Sequence, residues 1–154
     1  MELSEILRAD AVRASVNVSS KKRLLQEMAD FAGDVYGLTS DKVFAAVQER
    51  ESLGPTGMGG GVAIPHARIP GLANVVGAFA TLAKPVDFNA PDSQPVDLVF
   101  LLLAPQEAGA EHLRALARVS RTLRDPSVCE KLRSTDDTSA LYSILTIEEA
   151  SRAA

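Results

Sequence analysis

This sequence has little cysteine, no net positive charge and no long apolar run. A single cysteine, Cys129, leaves no partner for an internal disulfide, which is typical of a protein from a reducing compartment. The longest apolar run, 98–104, is far shorter than the roughly 20 residues that a membrane-spanning helix needs. The first five residues, MELSE, carry acids where a signal peptide carries basic residues. We therefore expect a cytoplasmic protein without membrane insertion, in which Cys129 is a small core or boundary residue.

The charge balance argues against a protein that binds nucleic acid. The formal net charge is −4 at pH 7, so no basic surface indicates binding to nucleic acid. Hydrophobic residues make up 46% and charged residues 23% of the chain, which is the balance of a folded globular protein. With 154 residues and no break in composition, the sequence predicts a single domain over residues 1–154 with a core of substantial size.

Apolar periodicity predicts strands and helices in mixed order. Alternation over 12–18 indicates a strand with one buried face, and spacings of three and four indicate helices. Two helices are predicted first, one between Ser20 and Gly37 and one from Thr39 or Ser40 to Gly54. Strand-like segments follow at 62–64, 75–82, 86–88 and 96–103. The order predicts an α/β protein around a modest sheet, and periodicity does not decide whether that sheet is parallel or mixed.

The last third of the chain is predicted to be helical. One helix, running to about Arg124, is expected to bury a face formed by Leu113, Leu116, Ala117, Ser120 and Leu123. Asp125 followed by Pro126 predicts the start of the next helix. Residues 134–137 offer caps for a last helix, whose expected buried side is Leu141, Ile144 and Leu145.

Residues 57–68, GMGGGVAIPHAR, present one of the two histidines of the sequence in an unusual setting. Pro65 fixes its own φ and pushes Ile64 toward extended geometry, so we expect His66 to be held at a defined angle at the end of a strand. The glycines before it can bring backbone N–H donors close to an anion. A flexible structural loop is the alternative interpretation of the glycines.

Several common chemistries lack their residues here. No lysine follows the glycines, which excludes a nucleotide phosphate loop, and the glycines follow a helix rather than the strand that a dinucleotide fingerprint requires. Zinc-protease and G-x-S-x-G motifs are absent, so we expect neither metal nor cofactor. A neutral imidazole is a nucleophile near pH 7, which leaves acceptance of a phosphoryl group on His66. Arg50 is the candidate positive charge, and a solvated helix-end arginine is its alternative role.

Residues 48–68 resemble the phosphorylation-site signature of enzyme IIA proteins of the fructose/mannitol class, which belong to the bacterial phosphoenolpyruvate-dependent phosphotransferase system. The likeness extends to 20–23, 94–100 and 112–113. It implies a central mixed sheet flanked by helices on both faces and phosphorylation of His66 on Nε2. It also implies that Arg50 stabilises the phosphoryl group, that His112 orients His66, and that a loop cradles the phosphate through Thr56, Gly57, Gly59 and Gly61.

Two positions depart from that family's pattern. Gly60 stands where asparagine is common in the family, and we expect this change to loosen the loop. Arg68 stands where a glycine-lysine pair is common after the histidine, and it keeps the positive charge. Neither departure removes a residue that the transfer chemistry requires.

The resemblance is strongest to nitrogen-regulatory members of the family and implies partner proteins. His66 would take phosphate from a histidine-containing phosphocarrier protein of the nitrogen branch, supplied by phosphoenolpyruvate through enzyme I. The protein would then regulate targets, such as potassium-transport or stress-signalling proteins, according to its phosphorylation state. One alternative is a stand-alone sugar enzyme IIA that passes phosphate to the IIB domain of a permease. Another is a binding module without phosphotransfer.

Overall fold

A computed structural model describes the backbone of residues 1–153 and the side chains of residues 1–146. Over these residues the chain forms six helices: α1 Leu3–Ile6, α2 Lys21–Tyr36, α3 Ser40–Leu53, α4 Ala110–Leu123, α5 Pro126–Arg133 and α6 Thr138–Ala153. The same residues form six strands: β1 Leu7–Val16, β2 Gly57–Gly59, β3 Val62–Ala63, β4 His66–Ile69, β5 Val76–Val86 and β6 Val96–Pro105.

The strands form one mixed sheet. Its order is β1-β5-β6-β3-β2, and β4 also pairs with β6. β5 and β6 run antiparallel, whereas β1 is parallel to β5, and β3 and β4 are both parallel to β6. β2 and β3 form an antiparallel hairpin. The mixed sheet that the family resemblance implied is confirmed.

The core lies around β5 and β6. Phe79, Phe100 and Leu102 are completely buried, and residues 98–104 are buried on both faces of β6, which explains their continuous apolar run. The helices form two groups: α2 packs on α3, whereas α1, α4, α5 and α6 contact one another. The first group contacts β1, β4 and β5, and the second contacts β1 and β6. Helices therefore cover both faces of the sheet, as expected.

Local signals set the helix boundaries. The Ser20 side chain caps α2, which ends at Gly37 in the left-handed region with φ 69°. The Asp125 side chain accepts a hydrogen bond from the Ser127 amide at 2.9 Å, and Pro126 occupies the first turn of α5. These predicted starts and ends are confirmed.

Two strand predictions were wrong in their bounds. β1 begins at Leu7 rather than at Val12, because Leu7 and Ala11 are buried while the exposed residues 8–10 between them hide the alternation. Val86 is the last residue of β5 and does not start a separate strand, although Phe88 beyond it is completely buried.

The face predicted for α4 was right only in part. Leu123 is buried and Leu116 is partly buried against the core, as expected, whereas Leu113 is 66% exposed and Ala117 is exposed. The other buried residues are His112, Ala115, Val119 and Thr122. The buried stripe includes a histidine and a threonine, so hydropathy alone shifts the predicted stripe around the helix. The consequence is an exposed leucine beside His112.

β3 and β4 lie along the same edge of β6, separated by Ile64 and Pro65. Pro65 has no N–H group, so the ladder is interrupted there. The Ile64 amide instead donates to the carbonyl oxygen of Thr56 at 3.1 Å. His66 therefore begins a strand, paired with Leu102, rather than ending one as predicted.

Candidate active site

The His66 ring is oriented by the backbone two residues before it. Its Nδ1 lies 2.8 Å from the carbonyl oxygen of Ile64. A carbonyl oxygen only accepts hydrogen bonds, so the ring proton resides on Nδ1 and Nε2 carries the lone pair. Within the part of the chain described with side chains, no group hydrogen-bonds Nε2. Nε2 is therefore the ring nitrogen available to form a bond.

The electrostatic surroundings keep His66 neutral. Burial is the largest influence and lowers the pKa of His66 below the ordinary histidine value, and the nearby Arg50 guanidinium lowers this pKa further. The hydrogen bond to Ile64 and the Glu51 carboxylate both act in the opposite direction and raise the pKa. Because the net shift is downward, the nucleophilic neutral form predominates at pH 7.

Arg50 lies in the last turn of α3 and serves its own helix as well as the site. Its Nη1 donates to the carbonyl oxygen of Gly54 at 3.0 Å, which stabilises the helix end. The same side chain lines both clefts that contain His66. A guanidinium has several further N–H donors, so the helix-end bond is compatible with binding an anion beside His66.

The structure brings the second histidine to the first. The ring centroids of His66 and His112 are 5.5 Å apart, with an interplanar angle of 85°. His112 is 7% exposed, and among the described side chains its Nδ1 is the buried polar atom without a hydrogen-bond partner. Burial lowers the pKa of His112, and electrostatic repulsion from a protonated His66 ring and from the Arg68 guanidinium lowers it further. Neutral His112 thus packs edge-on against His66.

Two of the four residues predicted to cradle phosphate line a cleft that contains His66. Thr56 and Gly57 line a cleft with His66. Gly57–Gly59, expected to be loop, forms β2, and neither Gly59 nor Gly61 lines a cleft that contains His66. The structure therefore brings two of the four residues to the histidine.

The tip of the β2–β3 hairpin is held at Gly60. The Gly60 amide donates to Asp92 Oδ2 at 2.9 Å, and Arg133 Nη2 donates to the Gly60 carbonyl oxygen at 2.7 Å. Arg133 also makes two hydrogen bonds to Asp97, each 2.9 Å long. Both backbone polar groups of Gly60 are thus bonded, and the loosening expected from the absent asparagine stays a prediction.

Thr56 is bound to a buried carboxylate that the sequence analysis missed. Its amide donates to Glu51 Oε2 at 2.8 Å, and its hydroxyl donates to Oε1 of the same residue. Lys21 Nζ lies 2.9 Å from Glu51 Oε2. Both residues lie in stretches that carry the family resemblance, but residue type and position gave neither a role, since each sits on a helix where a solvated charge is ordinary. The orienting role of the Ile64 carbonyl was missed for a similar reason, although the neighbouring Pro65 was a usable signal.

Two clefts meet at His66. The larger, about 510 Å³, lies between α3 and α4 and is named the His112 cleft; the smaller, about 260 Å³, is named the Thr56 cleft. Leu53 and Leu113 line the His112 cleft and are 81% and 66% exposed. Exposed leucines around a cleft are typical of a protein-docking surface.

Three further features concern metal ligands, the described helices and the cysteine. Among residues 1–146 no group of three His, Cys, Asp or Glu side chains could hold a metal ion. Across the described helices, none combines the length and apolarity that a membrane crossing requires. Cys129 is buried, as expected, and its Sγ donates to the Leu123 carbonyl oxygen at 3.1 Å.

Fold and site together define a class: an α/β protein that presents one neutral imidazole, beside an arginine, at the edge of a mixed sheet. Residues 5–147 match the family model described as "Phosphoenolpyruvate-dependent sugar phosphotransferase system, EIIA 2". The chain belongs to this enzyme IIA family, and its general activity is phosphotransfer within that system.

Individual relatives agree with the family. A protein of Bradyrhizobium diazoefficiens named "Nitrogen regulatory protein" is 46% identical over 153 residues, covering 99% of this chain and 100% of the relative. The crystal structure of nitrogen regulatory protein IIA-Ntr from Neisseria meningitidis superposes with a TM-score of 0.88 at 38% identity, covering 94% of this chain and 99% of the other. The IIA mannitol structure from Escherichia coli has a TM-score of 0.75 at 20% identity, covering 90% and 97%, and shows the shared fold.

Proposed function

We propose that this protein is a phosphohistidine carrier of the nitrogen-related phosphotransferase system. Nε2 of His66 accepts a phosphoryl group from a histidine-containing phosphocarrier protein of the nitrogen branch, which is charged from phosphoenolpyruvate through enzyme I. The observation that carries the proposal is the 2.8 Å contact between His66 Nδ1 and the Ile64 carbonyl oxygen, because it leaves the lone pair on Nε2. Membership of the enzyme IIA family supports phosphotransfer as the chemistry.

In the transfer step, His66 Nε2 forms a bond to phosphorus as the N–P bond of the donor breaks. The donor's imidazole keeps the electron pair of the broken bond. The proton on Nδ1 stays in place, and the Ile64 carbonyl stabilises the positive charge that the His66 ring gains. Such a transition state is loose, so placement and positive charge on the protein dominate the rate.

The residues around His66 have different roles in this transfer step. Arg50 supplies positive charge to the phosphoryl oxygens from the end of α3. His112 packs edge-on against His66 and restricts rotation of its ring. Thr56 and Gly57 form the wall of the Thr56 cleft, whereas Gly59 and Gly61 act by shaping the hairpin behind it.

We assign the protein a regulatory role in the cytoplasm, in which two phosphorylation states bind different targets. Relatives named nitrogen regulatory protein, at 46% and 38% identity, support this role. A phosphoryl group on His66 adds negative charge beside Leu53 and Leu113, enough to reverse a contact with an acidic or apolar partner. Potassium-transport and stress-signalling proteins are the candidate targets. The second candidate function is sugar transport through a permease IIB domain, which the family description favours.

The test is intact-mass spectrometry after incubation with phosphoenolpyruvate, enzyme I and the nitrogen-branch phosphocarrier. We expect an acid-labile gain of one phosphoryl group in the wild type and none in His66→Ala. An equal gain in His66→Ala would reject His66 as the acceptor. Replacing the carrier with its sugar-branch counterpart, and adding a IIB domain with its cysteine, distinguishes transport from regulation, since only transport predicts onward transfer to that cysteine.

A further inference from the structure

A charged side chain is buried next to the site without being assigned any part in the transfer. Glu51 is 7% exposed, and both of its oxygens are engaged. Oε1 accepts from the Thr56 hydroxyl, and Oε2 accepts from the Thr56 amide at 2.8 Å and pairs with Lys21 Nζ at 2.9 Å. Burying a carboxylate is costly unless such partners compensate for lost water, so this arrangement is specific.

The bonds of Thr56 continue to the reactive ring. Its carbonyl oxygen accepts from the Ile64 amide at 3.1 Å, and the Ile64 carbonyl oxygen lies 2.8 Å from His66 Nδ1. A continuous chain of contacts therefore runs from Lys21 through Glu51, Thr56 and Ile64 to His66. The hydrogen bonds in such a chain polarise one another and hold the bonded groups in one geometry.

We propose that Glu51 is a positioning residue for His66, acting through Thr56 and Ile64 to hold the carbonyl that keeps the proton on Nδ1. This inference rests on the proposed phosphohistidine function. The ammonium of Lys21 neutralises the buried charge and holds the carboxylate in place. Thr56 consequently donates to Glu51 and not to a phosphate, so its part in the site is to transmit position rather than to bind an anion.

The Glu51 charge has a second consequence at the ring. The carboxylate raises the pKa of His66, in opposition to burial and to Arg50. The same charge stabilises the positive ring that forms when Nε2 takes up phosphorus. A side chain that only closed the end of α3 would affect stability, but it would not affect the maximal transfer rate and the His66 titration together.

The test uses the full-length protein with four substitutions. Glu51→Gln keeps the shape and removes the charge, Thr56→Val removes the hydroxyl donor, and Lys21→Met removes the ammonium. Asp34→Asn removes an exposed carboxylate of α2 and is the matched control. Each is measured for maximal transfer rate, for the phosphocarrier concentration at half-saturation, for the His66 pKa by NMR, and for thermal unfolding.

We expect Glu51→Gln to lower the maximal transfer rate about tenfold or more and to lower the His66 pKa. The phosphocarrier concentration at half-saturation should not change. Thr56→Val is expected to slow transfer while the His66 pKa is retained, because the carboxylate is still present. The double variant should be no slower than Glu51→Gln alone, since both substitutions break the same chain. Lys21→Met should fall between Glu51→Gln and the wild type, and Asp34→Asn should match the wild type.

These measurements distinguish a failure of the proposed phosphohistidine function from a failure of the positioning role of Glu51. If the wild type takes up no phosphoryl group, the proposed function and this inference are both rejected. If the wild type is phosphorylated, and Glu51→Gln transfers as fast with an unchanged His66 pKa, only the positioning role is rejected. Lower thermal stability of Glu51→Gln, with wild-type transfer in the folded fraction, would also assign Glu51 a purely structural role.

Discussion

At the scale of single residues, the His66 imidazole, the proposed phosphate acceptor, is held by the main chain. The carbonyl oxygen of Ile64, in the short gap between β3 and β4, lies 2.8 Å from His66 Nδ1. The second histidine contributes packing, with its ring edge-on to that of His66. Both rings are kept neutral mainly by burial, which gives the site a defined dependence on pH.

The first prediction concerns pH. The pKa values of His66 and His112 are lowered in the folded state, so the unfolded chain binds protons first as the pH falls. The stability contributed by the two neutral rings is complete above the ordinary value of about 6.5 and is lost as the pH falls through the lowered folded values. Urea unfolding between pH 8 and 5 should show this decline in the free energy of unfolding. NMR titration of both rings should give the two lowered pKa values. A pKa for either ring at or above the ordinary value would contradict the prediction.

The second prediction concerns Arg50. Its guanidinium makes one bond to Gly54 at the helix end, so Arg50→Ala should change the free energy of unfolding by no more than about 1 kcal/mol. Removal of a preorganised positive charge should slow transfer about 100-fold at saturating phosphocarrier. Arg50→Lys is the control, since it keeps charge but not the forked geometry, and it should be intermediate. Wild-type kinetics of Arg50→Ala would remove this residue from the site.

At the scale of elements, the pair β5–β6 and the hairpin β2–β3 carry the site. Gly77 pairs with Leu102, the residue that also pairs with His66 on the other side of β6. The hairpin tip is fixed by Asp92, in the turn between β5 and β6, and by Arg133 of α5, so elements outside the hairpin determine where it lies.

The third prediction concerns Gly77. A Cβ added here would lie 2.5 Å from Cε1 and 2.7 Å from Cζ of Phe100, so the completely buried ring would have to move. Gly77→Ala should destabilise the protein by about 1–3 kcal/mol, as overpacking does. Chemical denaturation measures the loss. In the Phe100→Leu background the ring atoms are absent, so the added cost of Gly77→Ala should shrink; an undiminished cost would mean that the ring is not the cause.

At the scale of the whole molecule, the two helix groups converge at the edge strand β4. α3 comes from one group and brings Arg50 and Leu53, whereas α4 comes from the other and brings His112 and Leu113. The His66 ring thus lies between surfaces that no single element supplies. The exposed leucines on both sides form a surface suited to another protein.

The fourth prediction concerns this surface. Leu53 and Leu113 are 81% and 66% exposed, so Leu53→Ser and Leu113→Ser should leave thermal stability near the wild-type value. Each should weaken binding of the phosphocarrier about tenfold, the loss of one leucine's apolar burial at an interface. Leu113→Met keeps the apolar area and should bind normally. Titration calorimetry measures the affinities, and unchanged binding by both serine variants would place docking elsewhere.

Much of the element order could be predicted because its signals are local. Ser20, Gly37 and Asp125 set helix ends through their own side chains or backbone conformation, and residues 98–104 form a central strand because they are apolar throughout. The short strands β2 and β4 escaped prediction because they are formed by pairing with β3 and β6 and have little periodicity of their own. Part of the buried face of α4 escaped for a related reason, since His112 is buried against the His66 ring, which only the finished fold brings to it.

The sequence by itself determined the class of protein: glycines, Pro65 and His66 in one short segment, with Arg50 at the end of the preceding helix, indicated the family and the residue that we propose as phosphate acceptor. Only the tertiary structure decided how that residue is held. The Ile64 carbonyl, the buried Glu51 and the edge-on His112 act through distances and directions that chain separation does not encode. Hydrogen bonding and burial depend on which atoms are in contact, and these contacts follow from the packing of the sheet and both helix groups.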